Sequence, residues 1–429
     1  MARKMGFYAV LAYVLYGFAV YWYLFYFADT SLPFEFEGSR ADPATFLNGR
    51  ELALTEEYSK IRNLIFFLST PFEWLFYFLI LLMGLSGAMK RWSENSAKNK
   101  FARVGIYLFW LSIFSFLISL PLSYTSYTLS KWYNISTQTF ASWMKDQLID
   151  FWVSFGTMFV IIVVLYWLMN RSKKLWWVFA WLLSIPFTLF VMFLQPVVID
   201  PLYNDFYPLK NKQLEAKILD LAGQANIPAE HVFEVNMAEK TNALNAYVTG
   251  IGSNARIVLW DTTLQRLTDD QILFIMAHEM AHYVEKHIYI GIAGYLLISL
   301  AGLYIAYRLM NWAVARWGKE LKIPEVGDIR SFPLFLMIMS VLAFASDPFT
   351  NIVSRYQENR ADKYAIEMTE NTDAAITSFQ VLTKAGLSQV NPPLLVKIFR
   401  YGHPTMLDRI ARLEEYEIRK RNEQELRPR

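Results

Sequence analysis

Hydrophobic positions along this chain gather into long blocks, separated by charged and polar stretches. Seven blocks, near residues 5–27, 64–87, 104–124, 148–169, 175–195, 288–310 and 333–353, reach the length of a membrane-crossing helix. A hydrocarbon core about 30 Å thick takes roughly 20 residues of helix. The first block follows Met-Ala-Arg-Lys and stays apolar to Phe27; without the short core and small-residue cleavage site of a signal peptide, it reads as a retained span. A polar stretch, Ala28 to Arg62, joins the first two blocks, and the basic loop Arg171 to Lys174 makes the fourth and fifth a tight hairpin. Trp and Tyr collect at block ends, as in Lys174-Leu175-Trp176-Trp177, where amphipathic rings favour the headgroup region.

Between the fifth and sixth blocks, residues 200–287 have a globular pattern. Asn211 to Ala225 has helical periodicity with Leu214, Ile218, Leu219 and Leu221 on one side; Val232 to Met237 alternates, which predicts a strand with Phe233, Val235 and Met237 on one face. Asn245 to Gly250 and Arg256 to Trp260 predict two more strands with a turn near Gly252-Ser253-Asn254. Thr268-Asp269-Asp270-Gln271 is a capping-box pattern that starts a helix. After the seventh block, residues 354–429 are charged and helical, interrupted by Pro392-Pro393 and Gly402-His403-Pro404. The chain therefore divides into a membrane part, 1–199, a globular part, 200–287, a second membrane part, 288–353, and a helical C-terminal part, 354–429.

Composition narrows the chemistry. Hydrophobic residues make up 55% of the 429 and aromatic residues 17%, too apolar for an ordinary soluble protein. A net charge of +3 gives no reason to expect a nucleic-acid partner. There is no cysteine, so disulfides, thiolate metal sites and cysteine catalysis are excluded, and any metal must use His, Asp or Glu. The same absence favours a prokaryotic cell membrane over the endoplasmic reticulum.

His278-Glu279-Met280-Ala281-His282 is an HExxH motif on the capped helix. The i, i+4 spacing stacks both imidazoles on one face, so that they can hold one zinc ion, and Glu279 beside them can act as the base that deprotonates an attacking water. In a chain with five histidines a chance HExxH is rare. A catalytic zinc needs a third protein ligand and an open position. His231 and His287 are the remaining nearby histidines; nine residues beyond His278 on the same helix, His287 would lie about 180° round and face away. Glu358 and Asp362, one turn apart, offer a ligand and a carboxylate to accept from a ligand imidazole. From spacing alone, an acidic pair on a solvated face serves equally well. Glu73, mid-span beside Pro71, is costly at bilayer depth unless it faces protein or water; it is expected to line an aqueous chamber, with pairing to a neighbouring helix as the alternative.

These residues resemble the type I CAAX prenyl proteases, integral-membrane zinc endopeptidases. The resemblance is carried by the HExxH helix, the Glu358 segment, Pro201-Leu202-Tyr203-Asn204-Asp205-Phe206-Tyr207-Pro208-Leu209, and His403-Pro404 followed by Arg409. It implies a mainly α, polytopic membrane protein in which seven helices enclose a chamber capped by a zincin-like α+β metalloprotease domain. It further implies one zinc ion held by His278, His282 and Glu358, with Asp362 behind them and Glu279, His403, Asn245 and Arg409 in catalysis. Asn245, Ala246, Tyr247, Val248, Thr249 and Gly250 would form the substrate strand. The substrate would be a peptide or protein, of the lipidated CAAX type in that family, met among membrane lipids. Competing readings are a quality-control protease of the HtpX type, which is shorter with fewer spans, and a transporter or scaffold with a structural metal, which would have no use for Glu279. A site-2 intramembrane protease embeds HExxH within a span, whereas Asp269, Asp270, Glu285 and Lys286 flank the motif here.

Orientation draws opposite expectations from two sources. An odd number of spans puts the N-terminus opposite the protease part. Loops on the N-terminal side hold more Lys and Arg, among them Lys90, Arg91, Lys173 and Lys174, than those on the protease side, with Arg40, Arg50 and Lys131. Positive loops stay in the cytoplasm, which places the zinc domain outside it, whereas the resemblance implies a cytosolic protease end. The loop charges belong to this chain itself, and the expectation is a zinc domain outside the cytoplasm.

Overall fold

A computed structural model describes residues 2–249 and 256–425. The expected turn at Gly252-Ser253-Asn254, and Gly250 at the end of the substrate strand, lie outside the described residues. In chain order the helices are α1 (Ala2–Trp22, continued by one wider turn to Phe27), α2 (Gly49–Met83), α3 (Leu85–Ser96), α4 (Lys100–Trp132), α5 (Phe140–Arg171), α6 (Trp176–Leu194) and α7 (Asp200–Tyr203). Then come β1 (Phe206–Pro208), α8 (Lys212–Gln224), β2 (Val232–Val235), β3 (Ala246–Thr249), β4 (Arg256–Trp260), α9 (Asp261–Arg266) and α10 (Asp269–Val284). The chain closes with α11 (His287–Trp317), α12 (Phe332–Thr369), α13 (Thr372–Gly386), α14 (Leu394–Phe399) and α15 (Met406–Glu425).

Among the described residues seven helical segments are long and apolar enough to cross a membrane, and each contains one of the seven expected blocks at least in large part. Several extend well past the apolar stretch. α2 already begins at Gly49, where Asn48 and Glu51 form a capping box, so the last two-fifths of the polar connection is helix rather than loop. It stops at Gly84, short of the expected 87, because that residue takes the left-handed φ of +78°. α12 runs unbroken for 38 residues, with Pro348 inside it, about 57 Å of helix. The boundary expected at 353–354 therefore has no backbone break: the seventh span and the acidic segment with Glu358 and Asp362 are one rod.

The globular part is a four-stranded sheet of order β1-β2-β4-β3 with helices packed on it. β2 and β4 are parallel, while β1 and β3 pair antiparallel on the outside. Val232, Ile257 and Leu259 from the sheet join Phe274, Met276 and Ala277 of α10 in one buried core. β2 departs from the expected alternation. It ends at Val235, Met237 starting a short 3₁₀ turn, and Phe233 is only half-buried while Glu234 is buried. Lys210 supplies the reason, its Nζ lying 2.6 Å from Glu234 Oε1. A second core binds the membrane helices at the far end, around Tyr107, Trp176 and Phe332.

Candidate metal centre

α10 is fixed before it reaches the site. Thr268 accepts from the Gln271 amide and Gln271 returns the bond, and acids in the first turn suit the positive end of the helix dipole. The apolar side of α10 packs into the core, so that His278 is buried and His282, one turn on, is half-buried beside it. Glu358 on α12 faces both. His278 Nε2 lies 3.3 Å from His282 Nε2 and 3.1 Å from Glu358 Oε2, and His282 Nε2 lies 3.4 Å from Glu358 Oε1. Four ligands set tetrahedrally about 2.0–2.1 Å from a centre stand about 3.3–3.4 Å apart, so this triangle fits one such ion. Glu358 Oε2 is also a buried oxygen without a hydrogen-bond donor, although His403 Nδ1 comes within 2.7 Å of it.

Behind the triangle, Asp362 takes the other side of His278, its Oδ1 2.8 Å from Nδ1. Arg409 of α15 grips the same carboxylate with Nε at 2.8 Å and Nη2 at 2.5 Å, and its guanidinium lies 4.0 Å from the Phe379 ring centroid. Both members of this pair are buried. Burial disfavours charge on His278, but Asp362 and Glu358 outweigh it and hold the imidazolium up to about 9; the same carboxylates favour any cation at Nε2. Burial, and then His278, pull His282 down to about 4, which keeps it neutral as a ligand must be. Burial pushes the Glu279 carboxyl up, towards the range useful to a proton-transferring group.

Glu279, Asn245, His403 and Arg409 line one cavity of about 390 Å³ with His278. Asn245 is pinned by its backbone: its amide donates to Thr263 Oγ1, and its carbonyl accepts from Thr263 Oγ1 and the Trp260 amide. Directly after it, β3 forms, among the described residues, the edge of the sheet next to α10, bonded to β4 on one side.

The sequence profile of peptidase family M48 matches residues 208–417, and that of the CAAX prenyl protease N-terminal region, described as five membrane helices, matches residues 41–205. A Bacillus subtilis protein described as the uncharacterized metalloprotease YhfN is 54% identical over 409 residues, 95% of this chain and 96% of its own length. The chain belongs to peptidase family M48. A further relative, CAAX prenyl protease 1 of Saccharomyces cerevisiae, is 26% identical over 73% of this chain and 72% of its own. The crystal structure of Saccharomyces mikatae Ste24p has the same fold, with a TM-score of 0.78 at 21% identity, covering 96% of this chain and 98% of that one. This M48 peptidase is thus a multi-pass integral membrane metallopeptidase acting on peptides or proteins, with a metal as its cofactor.

At the metal centre of this M48 chain, the expectation for His287 fails. His287 does not continue the HExxH helix and does not face away. Lys286 adopts φ +58° and breaks the backbone, so that His287 starts α11 and folds back on the site. Its Nδ1 lies 2.9 Å from His282 Nδ1, its Nε2 lies 3.1 Å from Glu285 Oε2, and Arg360 of α12 donates to Glu285. Nε2 of His282 is turned to the triangle, so a metal held there would leave the ring proton on Nδ1, with His287 Nδ1 placed to accept it and fix that tautomer. Sequence periodicity had no signal for the break, since Lys is not a usual left-handed residue. Glu73 lies far from this centre and is half-buried; Ser340 of α12 donates to its Oε2 at 3.2 Å.

Proposed function

We propose that this protein is a zinc metalloendopeptidase that hydrolyses peptide bonds near the C-terminus of proteins or peptides, including prenylated CAAX-type ones. The observation that carries the reading is the His278–His282–Glu358 triangle opening, beside Glu279, into the cavity that Asn245 and His403 also line. Two imidazoles and a carboxylate are a zinc donor set with one position left open. A bound zinc ion supplies Lewis acidity there. Glu279, next to the ligands, accepts the proton of the attacking water and returns it to the leaving amine. His403 and the Asn245 amide, across the cavity, donate to the oxygen that becomes negative as the carbonyl is attacked. Arg409 and Asp362 hold the His278 ring. The outer edge of β3 takes the extended substrate by main-chain pairing, which gives affinity while reading little sequence. The relatives named CAAX prenyl proteases support the choice of substrate. Incubation of the purified, zinc-loaded protein with prenylated and unprenylated CAAX peptides, followed by mass spectrometry of the products, tests it. Release of a C-terminal fragment that is lost in Glu279→Gln is expected; no cleavage of either peptide would overturn the reading.

A further inference from the structure

Three arginines line the cavity in front of His278 and Glu279, and their partners differ. Arg409 is neutralised by Asp362. Arg62 on α2, and Arg400 between α14 and α15, have no ion pair to a carboxylate among the described residues. Arg400 donates to Oδ1 of Asn63 and lies 5.7 Å from the Phe66 ring centroid, while Arg62 lies 5.9 Å from that of Tyr58. Burial, and then the like charge of Arg62, pull the Arg400 guanidinium down to about 10. Two cations held together beside a reaction cavity cost stability until an anion joins them.

We infer that Arg62 and Arg400, positioned with Asn63, form a subsite for the free C-terminal carboxylate of the peptide substrate. The inference rests on the endopeptidase reading above and adds to it the group by which the substrate end is recognised. A guanidinium presents parallel N–H donors that match a carboxylate's two oxygens. Arg400 and His403 are three residues apart, so their Cα atoms are at most about 11 Å from one another. That separation puts the bound carboxylate only a few substrate residues beyond the bond at the metal centre. A metal-loaded peptidase that grips the chain end in this way reads a feature common to all C-termini, independently of side chains.

The test uses zinc-loaded Glu279→Gln protein and fluorescent farnesylated CAAX peptides of one sequence, ending either in a carboxylate or in a carboxamide. Binding of the acid should be stronger than that of the amide by roughly ten- to a hundred-fold, the worth of hydrogen bonds to a charged group. In Arg400→Gln, and separately in Arg62→Gln, the acid-to-amide ratio should fall towards one. Zinc content and detergent elution profile report whether each variant is folded, and the milder Arg400→Lys should keep part of the preference. Equal affinity for acid and amide in the parent, or a preference that survives in both glutamine variants, overturns the assignment. Turnover by the unmutated protein separates the two ideas. Preference in binding with no hydrolysis removes the endopeptidase reading and leaves the subsite; hydrolysis of both peptides without preference does the reverse.

Discussion

Asp362→Ala removes the carboxylate on which the centre converges. It strips His278 Nδ1 of an acceptor at 2.8 Å and leaves the Arg409 guanidinium buried with no counter-charge. Breaking a buried pair from one side costs about 3–5 kcal/mol. Arg409 keeps its place over Phe379 at 4.0 Å, a contact worth about 0.5–2 kcal/mol, so the lower end, about 3 kcal/mol, is expected. Adding Arg409→Met removes the stranded cation and fills its volume with an apolar chain, so the double variant should be more stable than Asp362→Ala alone by about 2 kcal/mol. Denaturation of the detergent-solubilised proteins without metal measures this part. Competition with a chelator measures the other: loss of the partner of a ligand histidine should weaken zinc about 10–100-fold in both variants. A double variant no more stable than the single one would refute the claim that Asp362 is needed to neutralise Arg409. Unchanged zinc affinity would refute its role behind His278.

Glu358→Ala should lose zinc, whereas Glu279→Ala should keep it and lose turnover by roughly 10²–10⁴-fold; metal analysis beside a peptidase assay decides, and full zinc in Glu358→Ala would sink the third-ligand assignment. His287→Phe should weaken zinc about 10–100-fold in chelator competition, with partial recovery in His287→Gln; unaltered affinity would show that the His282–His287 contact does not matter. Glu73→Cys, the sole thiol in a chain without cysteine, should react with a water-soluble thiol reagent if that position lines an aqueous chamber, and complete protection in an active variant would favour the plain pairing with Ser340. Reporter fusions after Arg429 should be active on the non-cytoplasmic side, as the loop charges imply; ion pairs such as Lys90–Asp328 and Lys173–Glu325 do not weaken that expectation, because Lys and Arg are counted rather than net charge.

The membrane layout was legible because each span repeats one signal, apolar side chains over some 20 residues. α10 was legible for a different reason: Thr268 and Gln271 mark its start, and four residues separate its two imidazoles. Proximity between distant segments was not. No periodicity reveals that Arg62, Arg400 and Glu279 share a cavity, or that Arg360 reaches Glu285 across 75 positions. Glu358 could be singled out only as one of a pair, since spacing within a helix does not say what the helix faces. The misplaced His287 and the buried Glu234 share a cause: each depends on a single local partner, a left-handed Lys286 in one case and Lys210 in the other.

The unbroken passage of α12 from the membrane to Glu358 also sets an order on the assembly of the centre. His278 and His282 leave the ribosome first, but Glu358 follows 76 positions later, beyond two complete spans, and His403 and Arg409 later still. Until α11 and α12 are both inserted, the nascent chain holds two imidazoles and a base with no site to serve. On the ligand set proposed above, the centre is complete only when these last helices dock, so that membrane insertion would do the work that a removable pro-segment does for secreted proteases.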